Sequence, residues 1–162
     1  ARTILEILEA GFDEVVVDTS SHLGEVTLEA LERASQIVVL VDLSLPAVKE
    51  AKLALRVFQR LGVTPDRIKV VLNHSETSYG ITVAQIEASL EAKIASQLPT
   101  DTKTVLKSVQ RAEPFVTLVP NAELSRRVRE LADSLVPLHA AEGARSGQAA
   151  RRPGFWSRTP AG

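Results

Sequence analysis

The chain has 162 residues, 44% of them hydrophobic and 24% charged, enough for one domain with its own core and too apolar for wholesale disorder. Nineteen basic side chains against twenty acidic ones leave a net charge of −1, so no global field draws the chain to nucleic acid or membrane. The absence of cysteine excludes a disulfide scaffold, thiolate zinc sites and cysteine nucleophiles.

Residues 13–18, Asp-Glu-Val-Val-Val-Asp, are a short β-branched run ending in a carboxylate, and they read as the first strand. Residues 24–34 follow as a helix with Val26, Leu28, Leu31 and Ala34. Residues 36–42 and 68–73 are near-continuous apolar runs, the pattern of parallel strands covered on both faces. Between them, 45–61 carries a helical stripe of Val48, Ala51, Leu55, Phe58 and Leu61. Ser44 is its expected cap, Pro46 fits its first turn, and Gly62 follows its end. Thr82 and Gln85 have capping-box spacing for a helix over 83–91. A weaker strand is expected at 94–98 and a helix at 102–112, stopped before Pro114. Asn121 is the expected cap of a last helix with Leu124, Val128, Leu131 and Leu135 on one face. Strand and helix alternate without an internal repeat, which predicts an α/β fold: a doubly wound parallel sheet with helices on both faces.

Two domains of behaviour are expected. From about Leu138 the chain holds four of its eight glycines, two prolines, and Arg145, Arg151, Arg152 and Arg158 against Glu142 alone. Residues 138–162 are therefore net +3 and read as a disordered basic tail, leaving −4 on residues 1–137. Methionine is absent even at position 1, and the opening Ala1-Arg2-Thr3 is neither a signal nor a transit peptide. The expectation is a piece of something longer. No apolar run approaches the ~18 residues of a membrane span, so the cytoplasm is the default compartment.

Ligands of open α/β sheets bind beyond the carboxyl ends of the strands. Those ends are Asp18-Thr19-Ser20-Ser21-His22, then Asp42, Asn73-His74, and Pro99-Thr100-Asp101. A carboxylate such as Asp18 at a strand end either holds magnesium through its water shell or caps the next turn. The three hydroxyls after it suit a polar loop beside phosphate, or simply a loop. No lysine follows a glycine and no Gly-x-Gly occurs, so the chain lacks both a phosphate-binding loop and a dinucleotide fingerprint. His22, His74 and His139 have no second histidine at ligand spacing, and no Gly-x-Ser-x-Gly elbow exists. Arg126, Arg127 and Arg129 offer either DNA phosphate contacts or a solvated helix face, with Glu123, Glu130 and Asp133 favouring the solvated face. Arg151-Arg152-Pro153-Gly154-Phe155-Trp156 suits an anionic membrane surface or a plain tail.

Phe12-Asp13-Glu14-Val15-Val16-Val17-Asp18-Thr19, followed by Thr27-Leu28-Glu29-Ala30-Leu31-Glu32-Arg33-Ala34, resembles the second nucleotide motif and following helix of the MinD/ParA family. Leu45 to Lys52, Arg67 to His74, Leu98-Pro99-Thr100-Asp101 and Glu113-Pro114 extend the resemblance in one collinear run over roughly 3–137. It is closest to the CpaE-like (TadZ-like) branch linked to Flp/Tad pilus assembly. The resemblance implies a deviant P-loop ATPase whose phosphate loop and first half lie upstream of the matched region. It implies ATP and Mg2+ as cofactors, an ATP-dependent homodimer, pilus or secretion assembly proteins as partners, and action at a pole or at the periphery of the inner membrane. Asp18 would be the catalytic magnesium-shell carboxylate, and Thr19, Ser20, Ser21 and His22 the switch segment that senses the γ-phosphate. Asn73, with His74 beside it, would meet the adenine, and Pro99, Thr100 and Asp101 would form the adenine-side loop. His22 stands where the family has a glycine facing the γ-phosphate, and His74 where an arginine is usual. Two alternatives follow from the same fold: a catalytically inactive scaffold, or a partition ATPase binding DNA, which the acidic body counts against. Without a phosphate loop, this chain alone is expected to bind ATP no better than millimolar and not to hydrolyse it.

Overall fold

The computed structural model describes residues 2–74 and 80–135. The expected basic tail at 138–162 lies outside those residues. The elements run α1 (Arg2–Gly11), α2 (Glu25–Arg33), β1 (Ile37–Asp42), α3 (Leu45–Arg60), a single 3-10 turn (Pro65–Arg67), β2 (Ile68–Asn73), α4 (Val83–Leu90), β3 (Ile94–Gln97), α5 (Thr102–Arg111), α6 (Phe115–Leu118) and α7 (Glu123–Leu135).

The three strands form a parallel sheet in the order β1-β2-β3. Ile37 stands opposite Ile68 and Asp42 opposite Asn73, an unbroken six-residue register. Between β2 and β3 the register slips once, so that Val70 pairs with Ile94 but Val71 with Ser96. One extra residue, Ala95, is taken up on β3 there.

Alternation of side chains divides the sheet into two covered faces. Val41, Val70 and Leu72 pack with Val48 and Ala51 of α3 and with Ile86 and Leu90 of α4. Ile37 extends that face to Phe58 and Val63. On the other face Val71 packs with Leu98 and Leu124, with Phe115 and Val128 against them. Helices thus lie on both faces, as the near-continuous apolar runs of β1 and β2 require. The cover on the second face does not reach β1, where Leu40 remains 63% exposed.

Local signals hold the helices in register with the sheet. Ser44 Oγ accepts the Ala47 amide at 3.3 Å, and a proline occupies the first turn of α3. Gly62, at φ +77°, ends the helix with its amide on Gln59 and the Val63 amide on Phe58, and buried Val63 packs on Phe58. This is a Schellman ending, whose left-handed residue favours glycine. The capping box is complete, with the Thr82 amide on Gln85 Oε1 at 2.8 Å and the Gln85 amide on Thr82 Oγ1 at 3.3 Å.

Three expectations are corrected. Residues 13–18 are not a strand: the segment from 14 to 20 carries no regular structure, and Val16 is 96% exposed. A β-branched run becomes a strand only when a ladder satisfies its amides, and no described strand pairs with this one. The cap position of α7 falls on Ala122, whose carbonyl accepts the Arg126 amide at 3.0 Å, rather than on Asn121. Finally, α1 and the short α6 form where no element was expected. Arg33 of α2 bonds the Glu9 carboxylate and lies 3.5 Å from Glu6, tying α1 to α2.

Candidate functional site

Because all three strands are parallel, their carboxyl ends share one edge of the sheet. Asp42 and Asn73 lie side by side there in direct register. Beyond β3 the Leu98 amide donates to Leu72 O at 2.8 Å, holding the following loop against the end of β2. That loop brings Thr100 to His74, with Thr100 Oγ1 3.3 Å from His74 Nδ1. His74 has φ +52°, a left-handed conformation that turns the chain sharply out of β2. So Asn73, His74, Pro99, Thr100 and Asp101 form one contiguous group on the strand-end edge.

Asp101 is partly committed within this group. Its Oδ1 accepts the Thr104 amide at 3.0 Å, capping α5. Hydrogen bonding by Thr104, through side chain and then backbone, holds the Asp101 carboxyl below its ordinary range. A contact from this loop to a bound base would therefore come from its backbone or from Thr100. Among the described residues, none bonds to the Asn73 side-chain amide.

The segment from Asp18 to His22 is exposed throughout and lies just before α2. His22 O accepts the Thr27 hydroxyl at 3.1 Å, and Gly24 O accepts the Leu28 amide at 2.9 Å. A Cβ on Gly24 would stand 3.3 Å from His22 Cδ2, so the imidazole lies over Gly24. No hydrogen bond between described residues links Asp18 to Asn73 or to the loop after β3. Among the described residues, no three His, Asp or Glu side chains cluster to hold a metal directly. One carboxylate is what a water-mediated magnesium contact asks for, and Asp18 meets that chemistry. The donors fit a base and a magnesium shell; nothing here fits a phosphate cradle, because no glycine-lysine loop exists.

The arginines of α7 have structural employment. Arg127 lies 3.2 Å from Glu130 and 3.9 Å from Glu123. Arg129 donates to Val116 O at 2.5 Å and Pro120 O at 2.9 Å, closing the carbonyl end of α6. Arg67, quoted above only as the start of the run into β2, serves α2 the same way: its Nη2 bonds the Leu31 and Ala34 carbonyls. Only the contact across more than thirty residues reveals that role.

No protein-family model matches the chain. An uncharacterized ATP-binding protein of Methanocaldococcus jannaschii is 27% identical over 135 residues, covering 81% of this chain and 50% of that protein. Among solved structures, a ParA family ATPase from Chlorobium tepidum superposes with a TM-score of 0.75 at 22% identity, over 82% of this chain and 55% of its own. The septum site-determining protein MinD of Pyrococcus horikoshii, complexed with Mg-ADP, gives 0.72 at 14% identity, over 86% and 57%. MinD in the Aquifex aeolicus MinC:MinD complex gives 0.66 at 21% identity, over 85% and 59%. The fold is the parallel α/β arrangement of these ParA and MinD structures, and the chain spans about half the length of the proteins it resembles.

Proposed function

We propose that the chain is the C-terminal part of a MinD/ParA-type ATPase of the CpaE-like branch, and that its strand-end edge is the base side of an ATP-magnesium site. The observation that carries this reading is the joined group of Asn73, His74 and Thr100 at the ends of β2 and β3, one strand in from a β1 edge that no described strand pairs. A phosphate-loop strand seated on that edge would bring a triphosphate along the same row of strand ends. It would also bring cover to Leu40.

In this reading Asn73 hydrogen-bonds the adenine, and the Pro99–Asp101 backbone borders it. Asp18 would hold the magnesium through its water shell, and the ion, when bound, would supply neutralisation of charge on the phosphates. Thr19 to His22 follow the state of the γ-phosphate and pass it to α2 through the Thr27–His22 bond. ATP-bound dimers would place pilus or secretion machinery at a pole or at the inner membrane, and hydrolysis would release them.

The test is Asp18→Ala in the protein that carries the phosphate loop. Turnover falls by on the order of a hundredfold, the scale of losing one electrostatic stabiliser. Unchanged turnover removes Asp18 from this role.

A specific observation favours a second reading, a scaffold without hydrolysis. The His22 ring lies over Gly24, at the position where the resembled family keeps a glycine facing phosphate. No magnesium-dependent turnover by the loop-bearing protein, with micromolar ATP binding retained, would select the scaffold. Partition by DNA binding is disfavoured by the internal contacts of Arg127 and Arg129.

A further inference from the structure

Helix α5 is amphipathic in the inverted sense. The residues it turns inward are small and polar: Thr104 is buried and Ser108 half-buried. The residues it turns outward are apolar, with Leu106 at 55% exposure, Val109 at 72%, and Val105 exposed beside them. An ordinary surface helix does the opposite. The inward polar groups are satisfied, since Ser108 Oγ donates to Glu113 O at 2.5 Å and the Thr104 side chain hydrogen-bonds the Asp101 carboxylate. The arrangement is therefore stable as it stands, and the outward apolar face is left uncovered.

Charge adds direction. Lys103, Lys107 and Arg111 follow one another at four-residue spacing along one flank of that face, and α5 contains no acidic residue. Among the described residues Lys107 and Arg111 form no ion pair, and Lys103 lies in the field of the Asp101 carboxylate without a salt bridge to it. Asp101 and Glu113 flank the helix, but the Asp101 carboxylate is committed to the cap.

We propose that α5 is a contact ridge for an anionic lipid surface. Apolar side chains entering the headgroup boundary, with cations beside them, are what such a surface recognises. Nucleic acid would use the cations and leave Val105, Leu106 and Val109 without a role. The face is a ridge: the cavity of about 420 Å³ between β3 and α7 is lined by none of these residues. A lipid surface accepts a convex ridge without shape complementarity. This inference is independent of the nucleotide reading.

The test is flotation of the full 162-residue chain with phosphatidylcholine vesicles, with and without phosphatidylglycerol. Binding is expected only with phosphatidylglycerol and weakens with added salt. Lys103→Glu with Lys107→Glu, or Val109→Asp, lowers the bound fraction by roughly tenfold. All three positions are exposed, and thermal melting checks that each variant is folded; the charge reversal stands if the apolar variant does not fold. A tail variant, Arg151→Ala with Arg152→Ala and Trp156→Ala, distinguishes the other basic-aromatic cluster in the sequence. Loss of binding by the tail variant with full binding by both α5 variants overturns the proposal. So does absence of binding to anionic vesicles, including the case where the chain is retained on DNA instead.

Discussion

His74 and Thr100 meet across the carboxyl edge of the sheet, Nδ1 to Oγ1 at 3.3 Å, and so join the loop after β2 to the loop after β3. Just beneath them the Leu98 amide donates to Leu72 O at 2.8 Å. The two bonds give the candidate base site a fixed wall. His74, at φ +52°, meets Thr100 from a left-handed backbone position.

Thr100→Val keeps the shape of that wall and removes its side-chain bond. The chain should lose about 0.5–1 kcal/mol of stability, the net value of one partly solvated hydrogen bond. Urea unfolding of the two proteins measures the difference. No loss would mean that the loop is held by the Leu98 amide alone.

Leu72→Ala and Leu40→Lys should separate covered from uncovered sheet. Leu72 is fully buried between α3 and α4 side chains, and its truncation should cost about 2–5 kcal/mol. Leu40, on the opposite face of the edge strand, is mostly solvated, and its replacement should change stability by no more than about 0.5 kcal/mol in this chain. Denaturant midpoints compare them directly. A large loss from Leu40→Lys would show that the outer face of β1 is already covered.

Asp101→Ala should cost about 1 kcal/mol by removing the cap of α5. Its folded carboxyl sits below the ordinary value of 3.8, so its contribution is complete above that pH. As pH falls below 3.8 and through the lower folded value, the carboxylate protonates and the contribution disappears. Stability curves of the two proteins should therefore run apart at neutral pH and converge in acid. A constant gap across that window would assign the effect to packing instead of charge.

Much of the architecture was legible because it rests on local chemistry. The apolar runs at β1 and β2, the Ser44 cap, the Gly62 ending and the Thr82–Gln85 box each state their structure within a few residues. What depended on distant partners was not legible. Val15-Val16-Val17 has the composition of a strand but, among the described residues, no ladder to join, and Arg67 finishes α2 from the turn before β2. The inverted face of α5 was hidden for the same reason. Periodicity reports an apolar stripe but not which side of it faces the core. For the site, the strand-end rule brought Asn73, His74, Thr100 and Asp101 to one edge. The His74–Thr100 bond and the capping duty of Asp101 required the coordinates of both loops.

As proposed, this chain holds the base side of an ATP site, and a phosphate-loop strand beside β1 completes it. Calorimetric titration with Mg-ATP, of the 162-residue chain and of the chain joined to a phosphate-loop half, tests it most directly. The chain alone should bind no better than about millimolar, roughly −4 kcal/mol, and the joined protein should reach about micromolar, roughly −8 kcal/mol. Micromolar, magnesium-dependent ATP binding by the 162-residue chain alone would contradict it.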